Sequence, residues 1–157
     1  MTAEESFDQI NRESREHSRT PMQWNSAPNA GFSTVEPWFA VNPNYREINY
    51  EAQKKDPGSL YAFYKKMIAL RKSGDFQELF IYGSFDPLYE DEPGVIAYRR
   101  SYDGRSVAVI NNAKPAEAAL TLPGTVKSTL LSNYDTIVIN SGTIRLKRYQ
   151  TVVVELL

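Results

Sequence analysis

Two arginines offer the most distinctive chemistry in this sequence of 157 residues. Arg15 and Arg19 are four residues apart at the end of a predicted helix, a spacing that places two guanidinium groups on one helix face. A guanidinium fork donates hydrogen bonds to a carboxylate, or to adjacent hydroxyl groups, in a fixed plane. The pair is therefore a candidate binding site, although exposed ion pairs on a helix surface explain the spacing alone more simply.

Other residue types that perform catalysis are scarce or poorly placed. The sequence has no cysteine and one histidine, which excludes disulfides, thiolate metal sites, cysteine nucleophiles and histidine metal clusters. Glu16 and His17 resemble a general base with its carboxylate, but adjacent helical residues point in different directions. The cluster Glu90-Asp91-Glu92 precedes Pro-Gly and lacks the ligand spacing of a calcium loop, which indicates a solvated turn. We predict no catalytic residue, no metal site and no cofactor in this chain.

Composition and charge are those of an ordinary globular protein. Hydrophobic residues make up 41% of the sequence, and 18 Lys and Arg face 19 Asp and Glu, so no basic face for nucleic acid or anionic lipid is expected. No apolar run approaches the roughly 20 residues that cross a bilayer, and the first 15 residues lack the apolar core of a secretory signal. We therefore expect no nucleic-acid partner, no membrane partner and a cytoplasmic location. The chain is also too short for a whole (β/α)8 barrel, which needs about 250 residues.

The first third of the sequence predicts a helix followed by a long loop. Thr2 and Glu5 have the spacing of a capping box, and good helix formers follow, which predicts a short solvated helix over residues 2–18. From Thr20 to Asp56 prolines, Gly31 and several asparagines interrupt any period, while tryptophans and phenylalanines supply apolar surface. This pattern predicts a long ordered loop, here named the aromatic loop, that lies across another surface.

A second helix is the most regular element of the sequence. Asp56-Pro57 supplies an N-cap and a proline at the first helical position, and apolar residues recur at three- and four-residue steps from Leu60 to Leu70. Basic residues and then Ser73-Gly74 follow, which predicts the end of the helix and a left-handed glycine at its carboxyl terminus.

The remainder of the chain has the pattern of antiparallel strands. Asp103-Gly104 between two β-rich runs is a strong hairpin signal, and Pro123-Gly124 and Ser141-Gly142 mark two further turns. About 80 residues of this kind are typical of a small sandwich. Strands are predicted over Leu79 to Tyr82, Val95 to Tyr102, Val107 to Ile110, Ala118 to Leu122, Ser128 to Leu131, Thr136 to Ile139 and Thr151 to Leu157.

Several motifs resemble those of α-glucosidases in the α-amylase superfamily, such as oligo-1,6-glucosidases, trehalose-6-phosphate hydrolases and maltase-like enzymes. The resemblance covers nearly the whole chain and is strongest from Ser14 to Lys72. The motifs are Ser14-Arg15-Glu16-His17-Ser18-Arg19-Thr20-Pro21-Met22-Gln23-Trp24, Asn29-Ala30-Gly31-Phe32, Pro37-Trp38, Val41-Asn42-Pro43-Asn44-Tyr45, Ile48-Asn49, the helix Phe63 to Lys72, Tyr82-Gly83-Ser84-Phe85, Ile96-Ala97-Tyr98, Val109-Ile110-Asn111-Asn112 and Asn133-Tyr134-Asp135.

The resemblance implies a fold and two binding residues. Such enzymes have a catalytic (β/α)8 barrel and a C-terminal antiparallel β-domain, so residues 1–76 correspond to the end of the barrel and residues 77–157 to the β-domain. The fold class is then α+β by content, with helix, loop and helix followed by an all-β antiparallel sandwich. The family's catalytic carboxylates lie upstream of the matching region. Arg19 matches the arginine that helps hold the non-reducing glucose beside an upstream aspartate, and Arg15 lines the same pocket.

Three functions follow from these observations. The chain is expected to be the C-terminal fragment of a retaining α-glucosidase that acts on short α-glucosides, inactive without the missing barrel. Alternatively, the aromatic loop and β-domain form a non-catalytic carbohydrate-binding module, with Trp24, Trp38 and the tyrosines stacking on sugar rings. A third reading is an interaction module, because the loop and the helix from Leu60 to Leu70 would expose apolar surface that self-associates.

Overall fold

The computed structural model describes residues 2–15 and 18–157, which form two compact units. The first unit ends at Ala62 and the second spans Phe63–Leu157. Their boundary lies near the start of the helix Leu60–Lys72, because Phe63 and Leu70 of that helix pack with the β-rich part of the chain. The division into a barrel remnant and a β-domain at residue 76 stays a prediction, since compactness does not establish which residues belong to a barrel.

The first unit includes the α-helices α1 and α2 and short 3₁₀ turns. Helix α1 spans Ala3–Glu13 and α2 spans Tyr50–Lys55, with 3₁₀ turns at Pro28–Gly31 and Pro43–Arg46 between them. The predicted capping box is confirmed at α1, where the Thr2 amide donates to Glu5 Oε2 at 2.7 Å and the Glu5 amide to Thr2 Oγ1 at 3.1 Å. The aromatic loop is therefore ordered, as predicted, but it includes the short helix that the sequence reading had not identified.

Helix α3 spans Leu60–Lys72 and confirms the second predicted helix, although its start was predicted too early. Asp56 instead ends α2, and its carboxylate accepts from the Gly58 amide at 2.8 Å. The hydroxyl of Ser59 caps the start of α3 by accepting a hydrogen bond from the Ala62 amide at 3.1 Å. The predicted left-handed glycine after the helix is confirmed by a φ of 74° at Gly74.

The second unit is an antiparallel sandwich of eight strands with helices α3 and α4 on one side. Helix α4 spans Gln77–Tyr82. One sheet has the order β1-β2-β3-β8-β5 and the other the order β4-β7-β6, and every strand pair is antiparallel. The strands are β1 Asp86–Leu88, β2 Val95–Tyr102, β3 Arg105–Asn112, β4 Ala118–Thr121, β5 Val126–Ser132, β6 Val138–Asn140, β7 Thr143–Leu146 and β8 Thr151–Leu156.

The five-stranded sheet is buried on both faces at its centre. Ala108 and Ile110 of β3 point into an inner core shared with Ile144 and Leu146 of the other sheet. The alternating positions of β3, such as Val107, belong to an outer core with residues of α3 and α4. This double burial explains why β3 reads as a continuous apolar run rather than an alternating one.

One predicted strand is wrong, and two strands of the structure were not predicted. The run from Leu79 to Tyr82 was predicted as a strand, but it belongs to helix α4. Leu79 and Phe80 are both buried in the outer core, and a four-residue apolar run does not distinguish a strand from a buried helical turn. Strands β1 and β7 were not predicted. Strand β1 contains Pro87, which is tolerated there since β1 is at the sheet edge.

The predicted hairpin at Asp103-Gly104 is confirmed. Both residues have positive φ, 47° and 73°, as a type I′ turn requires. Strands β2 and β3 pair on either side, with Tyr102 opposite Arg105. Ser141-Gly142 also has two positive φ angles and joins β6 to β7.

Candidate functional site

Arg15 and Arg19 lie beyond the carboxyl end of helix α1. Helix α1 ends at Glu13, and Ser14 is already extended with a ψ of 131°, so the prediction that this helix continues to residue 18 is wrong. That Arg15 and Arg19 form one binding site stays a prediction. Both side chains are exposed. The carbonyl of Arg15 accepts from the amide of Ser18 at 3.3 Å and from its hydroxyl at 3.0 Å. Glu16 and His17, which the sequence does not favour as a general base, lie outside the described residues.

Arg19 begins a stretch of backbone whose other end is hydrogen-bonded to helix α2. We name residues 19–24 the arginine segment. The carbonyls of Gln23 and Trp24 accept from the amides of Tyr50 and Glu51 at 2.8 and 3.0 Å. These amides belong to the first turn of α2, which has no intrahelical partner for them. The start of α2 therefore stabilises the end of the arginine segment.

The side chain of Gln23 adds a second connection. Its amide nitrogen Nε2 donates to Asn44 Oδ1 at 3.0 Å and to the carbonyl of Ile48 at 2.5 Å. Asn44 lies in the second 3₁₀ turn and Ile48 just before α2, so one side chain joins two parts of the aromatic loop. Sequence reasoning did not single out Gln23, and its only signal was its place in the motif that ends at Trp24.

A tight turn follows the arginine segment. The amides of Trp24 and Asn25 both donate to the carbonyl of Ala30, at 2.9 and 3.1 Å. Asn29, Ala30 and Gly31 have positive φ angles of 53°, 57° and 67°, and Ala30 is fully buried. A left-handed conformation is unfavourable for alanine, so the surrounding hydrogen bonds hold this turn in place.

Three aromatic rings pack edge to face beside the arginine segment. The Trp24 and Tyr50 rings are 5.6 Å apart at 84°, and the Tyr50 and Tyr61 rings 5.2 Å apart at 88°. Asn49 is buried and caps α2, since its Oδ1 accepts from the Ala52 amide at 2.9 Å. Apolar packing and hydrogen bonding thus fix the same part of the first unit.

The other aromatic candidate, Trp38, is oriented differently. Its side chain is 91% exposed and stacks on Phe39, with centroids 4.9 Å apart and an interplanar angle of 29°. Trp24 is only half as exposed, at 45%, and its ring packs edge to face with that of Tyr50. Trp38 therefore offers the open aromatic face, and Trp24 is mainly part of the packing.

Acidic candidates take structural roles. The cluster Glu90-Asp91-Glu92 lies in a turn, as predicted, and Glu92 pairs with Lys114 at 2.7 Å. Within residues 2–15 and 18–157, no three His, Cys, Asp or Glu side chains come together as metal ligands would. No helix in the same part of the chain is both long and apolar enough to cross a bilayer.

Comparison with known proteins identifies both halves of the chain. Residues 1–79 match the family model of the alpha amylase catalytic domain, and residues 95–153 match that of the alpha-amylase SusG C-terminal domain. An oligo-1,6-glucosidase of Parageobacillus thermoglucosidasius is 40% identical over 136 residues, which cover 84% of this chain and 24% of that protein. An alpha-glucosidase of Schizosaccharomyces pombe is 32% identical over 157 residues, covering 98% of this chain and 27% of its own length.

Solved structures agree with these matches. The trehalulose synthase of Pseudomonas mesoacidophila MX-45 superimposes with a TM-score of 0.87 at 33% identity, over 99% of this chain and 28% of the synthase. The trehalose-6-phosphate hydrolase of Bacillus licheniformis gives a TM-score of 0.83 at 34% identity, over 93% of this chain and 27% of the hydrolase. The chain thus spans about a quarter of the length of these relatives. With half of its residues matching the catalytic-domain model and its fold matching throughout, the chain belongs to the α-amylase family of glycoside hydrolases.

Proposed function

We propose that this chain is the C-terminal portion of a retaining α-glucosidase that acts on short α-glucosides. In this proposal the catalytic carboxylates belong to the preceding part of the barrel, and the chain alone does not hydrolyse its substrate. Arg19 helps hold the non-reducing glucose, Arg15 lines the pocket, and no cofactor takes part. The setting is cytoplasmic.

The observation that carries the proposal is the anchored arginine segment within a chain of this family. A pocket that binds a sugar needs donors in fixed positions, because ordering a long side chain at binding costs conformational entropy. The carbonyls of Gln23 and Trp24 are held by α2, so the end of the arginine segment, four residues after Arg19, is fixed without a ligand. A guanidinium fork on such a backbone is suited to donate to two sugar hydroxyls and to pair with a carboxylate.

The test is hydrolysis of p-nitrophenyl α-glucoside by the chain and by a mixture. The second component is the part of the Parageobacillus oligo-1,6-glucosidase that precedes the region matched by this chain. We expect no hydrolysis by the chain alone and measurable hydrolysis by the mixture. Arg19→Met should raise KM in the mixture about tenfold or more, since hydrogen bonds to a charged group contribute about 1.5–3 kcal/mol.

A matched control is Arg148→Met, which removes an exposed arginine of the β-domain. It should leave KM unchanged. Hydrolysis by the chain alone, after removal of contaminants, would contradict the proposed division of labour. Equal KM values for the wild-type and Arg19→Met mixtures would remove the role given to Arg19.

One face of α3 exposes apolar side chains that need a partner. Tyr64, Met67 and Ile68 are 52%, 40% and 48% exposed, which is a large apolar exposure for neighbouring turns of one helix. We infer that the barrel covers this face in the complete enzyme and that the isolated chain self-associates through it. Light scattering over a concentration series should show dimers or larger species, whereas a monomer at every concentration would contradict self-association.

A second function, carbohydrate binding without catalysis, is favoured by Trp38. Its almost fully exposed ring stacks on Phe39 and presents a flat apolar face of the kind that packs on a sugar ring. Titration with α-glucans, followed by NMR, should then shift the Trp38 indole signal, and Trp38→Ala should abolish saturation. If no signal shifts for any glucan, this second function is wrong.

A further inference from the structure

The second unit contains an open cleft of about 490 Å³, here named the β5 cleft. It is lined by Lys66 of α3, by the end of β5 from Thr129 to Ser132, and by the connection that follows β5. Strand β5 is the last strand of its sheet, so no strand among the described residues pairs with its outer edge. The open edge of such a strand offers backbone donors and acceptors. The volume is within the range of small-molecule sites, about 300–1,000 Å³.

The connection after β5 is held in place by a buried glutamine. Gln150 is fully buried, and its Nε2 donates to the Thr136 carbonyl at 3.1 Å and to Ser132 Oγ at 3.4 Å. The same hydroxyl accepts from the Tyr134 amide at 3.0 Å, and the Tyr134 hydroxyl donates to a backbone carbonyl just before β8 at 2.9 Å. The wall that carries Tyr134 and Asp135 is therefore ordered without a ligand, which lowers the entropic cost of binding.

The two charged side chains of the β5 cleft have opposite signs. Lys66 contributes an ammonium and Asp135 a carboxylate. In the part of the chain that the structure describes, neither side chain forms an ion pair or a hydrogen bond with another residue. Asp135 would repel a simple anion, and Lys66 a simple cation. A neutral ligand rich in hydroxyl groups suits both, since a hydroxyl accepts from an ammonium and donates to a carboxylate.

Apolar surface beside these charges favours a sugar over an acyclic polyol. Leu130, Tyr134 and Ile137 line the β5 cleft and are each half-buried, so part of every one of these side chains stays open. A pyranose ring presents C–H groups on one face and hydroxyl groups around its rim. Its face can pack on apolar and aromatic side chains while its hydroxyl groups reach polar partners.

We propose that the β5 cleft is a saccharide-binding site of the second unit and binds a short, neutral α-glucoside. Lys66 donates to the sugar, Asp135 accepts from it, and the apolar lining packs on the ring. The choice of an α-glucoside among neutral saccharides rests on the proposed function.

The first experiment titrates the chain with maltose and with isomaltose and follows the backbone amide signals by NMR. We expect saturable shifts at Thr129, Ser132 and Asp135, with a Kd in the millimolar range because the cleft is open. Absence of saturation up to about 100 mM of either sugar overturns the inference. Shifts confined to the Trp38 indole also overturn it, since Trp38 belongs to the first unit.

Two substitutions test the charged partners. Lys66→Met keeps most of the side-chain length and removes the ammonium, and Asp135→Ala removes the carboxylate from an exposed position. Each should raise the Kd about fivefold or more, because hydrogen bonds to charged groups are stronger than neutral ones. Lys72→Met and Asp91→Ala are matched controls, since both residues are exposed and neither lines the cleft. Equal Kd values in test and control variants overturn the inference.

A zwitterion tests the class of ligand. β-Alanine carries both charges and could pair with Lys66 and Asp135 without any sugar ring. We expect it to cause no saturable shift in the β5 cleft at the concentrations where maltose does. Binding of β-alanine as tight as that of maltose overturns the assignment to a saccharide.

These titrations separate failure of the inference from failure of the proposed function. They use the chain alone and need no hydrolysis. If the mixture with the oligo-1,6-glucosidase portion hydrolyses its substrate while no sugar binds the β5 cleft, only the inference fails. If the sugars bind the cleft while the mixture is inactive, the proposed function fails and the saccharide site stands.

Discussion

Replacing Glu155 by glutamine should weaken the β-sandwich, because this carboxylate is buried among three donors. Glu155 lies in β8, and its side chain is 7% exposed. Its Oε1 accepts from Arg105 Nε and Nη2 at 3.3 and 3.1 Å and from Lys127 Nζ at 3.0 Å. Its Oε2 accepts from Ser128 Oγ at 3.2 Å. One carboxylate thus joins β3, β8 and β5, three neighbouring strands of the larger sheet.

The size of the loss in stability depends on which hydrogen bonds exchange a charged acceptor for a neutral one. Glutamine keeps the shape and one acceptor oxygen, so Arg105 and Lys127 exchange a charged acceptor for a neutral one. Lys127 is 53% exposed, so its ion pair with Glu155 contributes about 0.5 kcal/mol, as ion pairs at a protein surface do. Arg105 is 35% exposed and donates twice, so its loss is about 1 kcal/mol. The hydroxyl of Ser128 can rotate to accept from glutamine. We expect a loss of about 1.5 kcal/mol in the free energy of unfolding.

The pH dependence has a definite sign. The hydrogen bond from Lys127 lowers the pKa of the Glu155 carboxyl below its ordinary 4.5, burial opposes this, and bonds from Arg105 and Ser128 lower it further. A carboxyl whose pKa is lower in the folded state stabilises the fold above its unfolded pKa. That contribution disappears as the pH falls through the folded pKa. The advantage of wild type over Glu155→Gln should therefore be constant near neutral pH and shrink below about pH 4.5.

The assay is amide hydrogen exchange at Val153 and Val154, which lie in β8 beside Glu155 and pair with β3. Exchange gives the free energy of opening at these sites independently of the first unit. Glu117→Gln serves as the control because Glu117 is exposed, and it should change opening by less than about 0.5 kcal/mol. An equally small change in Glu155→Gln at pH 7, or a difference that grows as the pH falls, would refute the reasoning.

Three further substitutions probe the turns and the buried polar network. Gly31→Ala should destabilise the first unit by about 2 kcal/mol or more, since φ is 67° and the new Cβ would lie 2.5 Å from Asn25 Oδ1. Urea unfolding followed by tryptophan fluorescence measures this loss of stability. Gly104→Ala meets open space at a φ of 73°, so hydrogen exchange across β2 and β3 should report a loss of only about 1 kcal/mol. Asn112→Ala leaves the carbonyls of Ala116 and Lys147, each 2.8 Å from Asn112 Nδ2, without this buried donor. It should cost about 2–4 kcal/mol, and an unchanged melting temperature would contradict that expectation.

The sequence predicted best those features that depend on neighbouring residues. The capping box at Thr2, the left-handed Gly74 and the Asp103-Gly104 hairpin each rest on local chemistry, and the structure confirms them. Strands β2 and β3 flank that hairpin and were also predicted. In these places hydrogen bonds and backbone preferences within a few residues determine the conformation.

Predictions that depended on distant contacts were less accurate. Leu79 and Phe80 are helical because they pack on the outer face of the larger sheet, which a four-residue pattern does not reveal. The length of α1 was misjudged, since α1 ends at Glu13, earlier than its composition suggests, and Arg15 and Arg19 lie beyond it. The part played by Gln23 depends on Asn44 and Ile48, more than twenty residues away, so no local signal could indicate it.

Helix α3 explains why family matching and packing divide the chain at different places. The catalytic-domain model matches through residue 79, so it includes α3 and the start of α4. Yet Phe63 and Leu70 of α3 pack against the outer core, which includes Val107 and Val153 of the larger sheet. Without α3 and α4 those two strands would expose apolar side chains on one face. The sandwich therefore depends on helices that the family assigns to the catalytic domain, and a cut at residue 76 would separate residues that pack together.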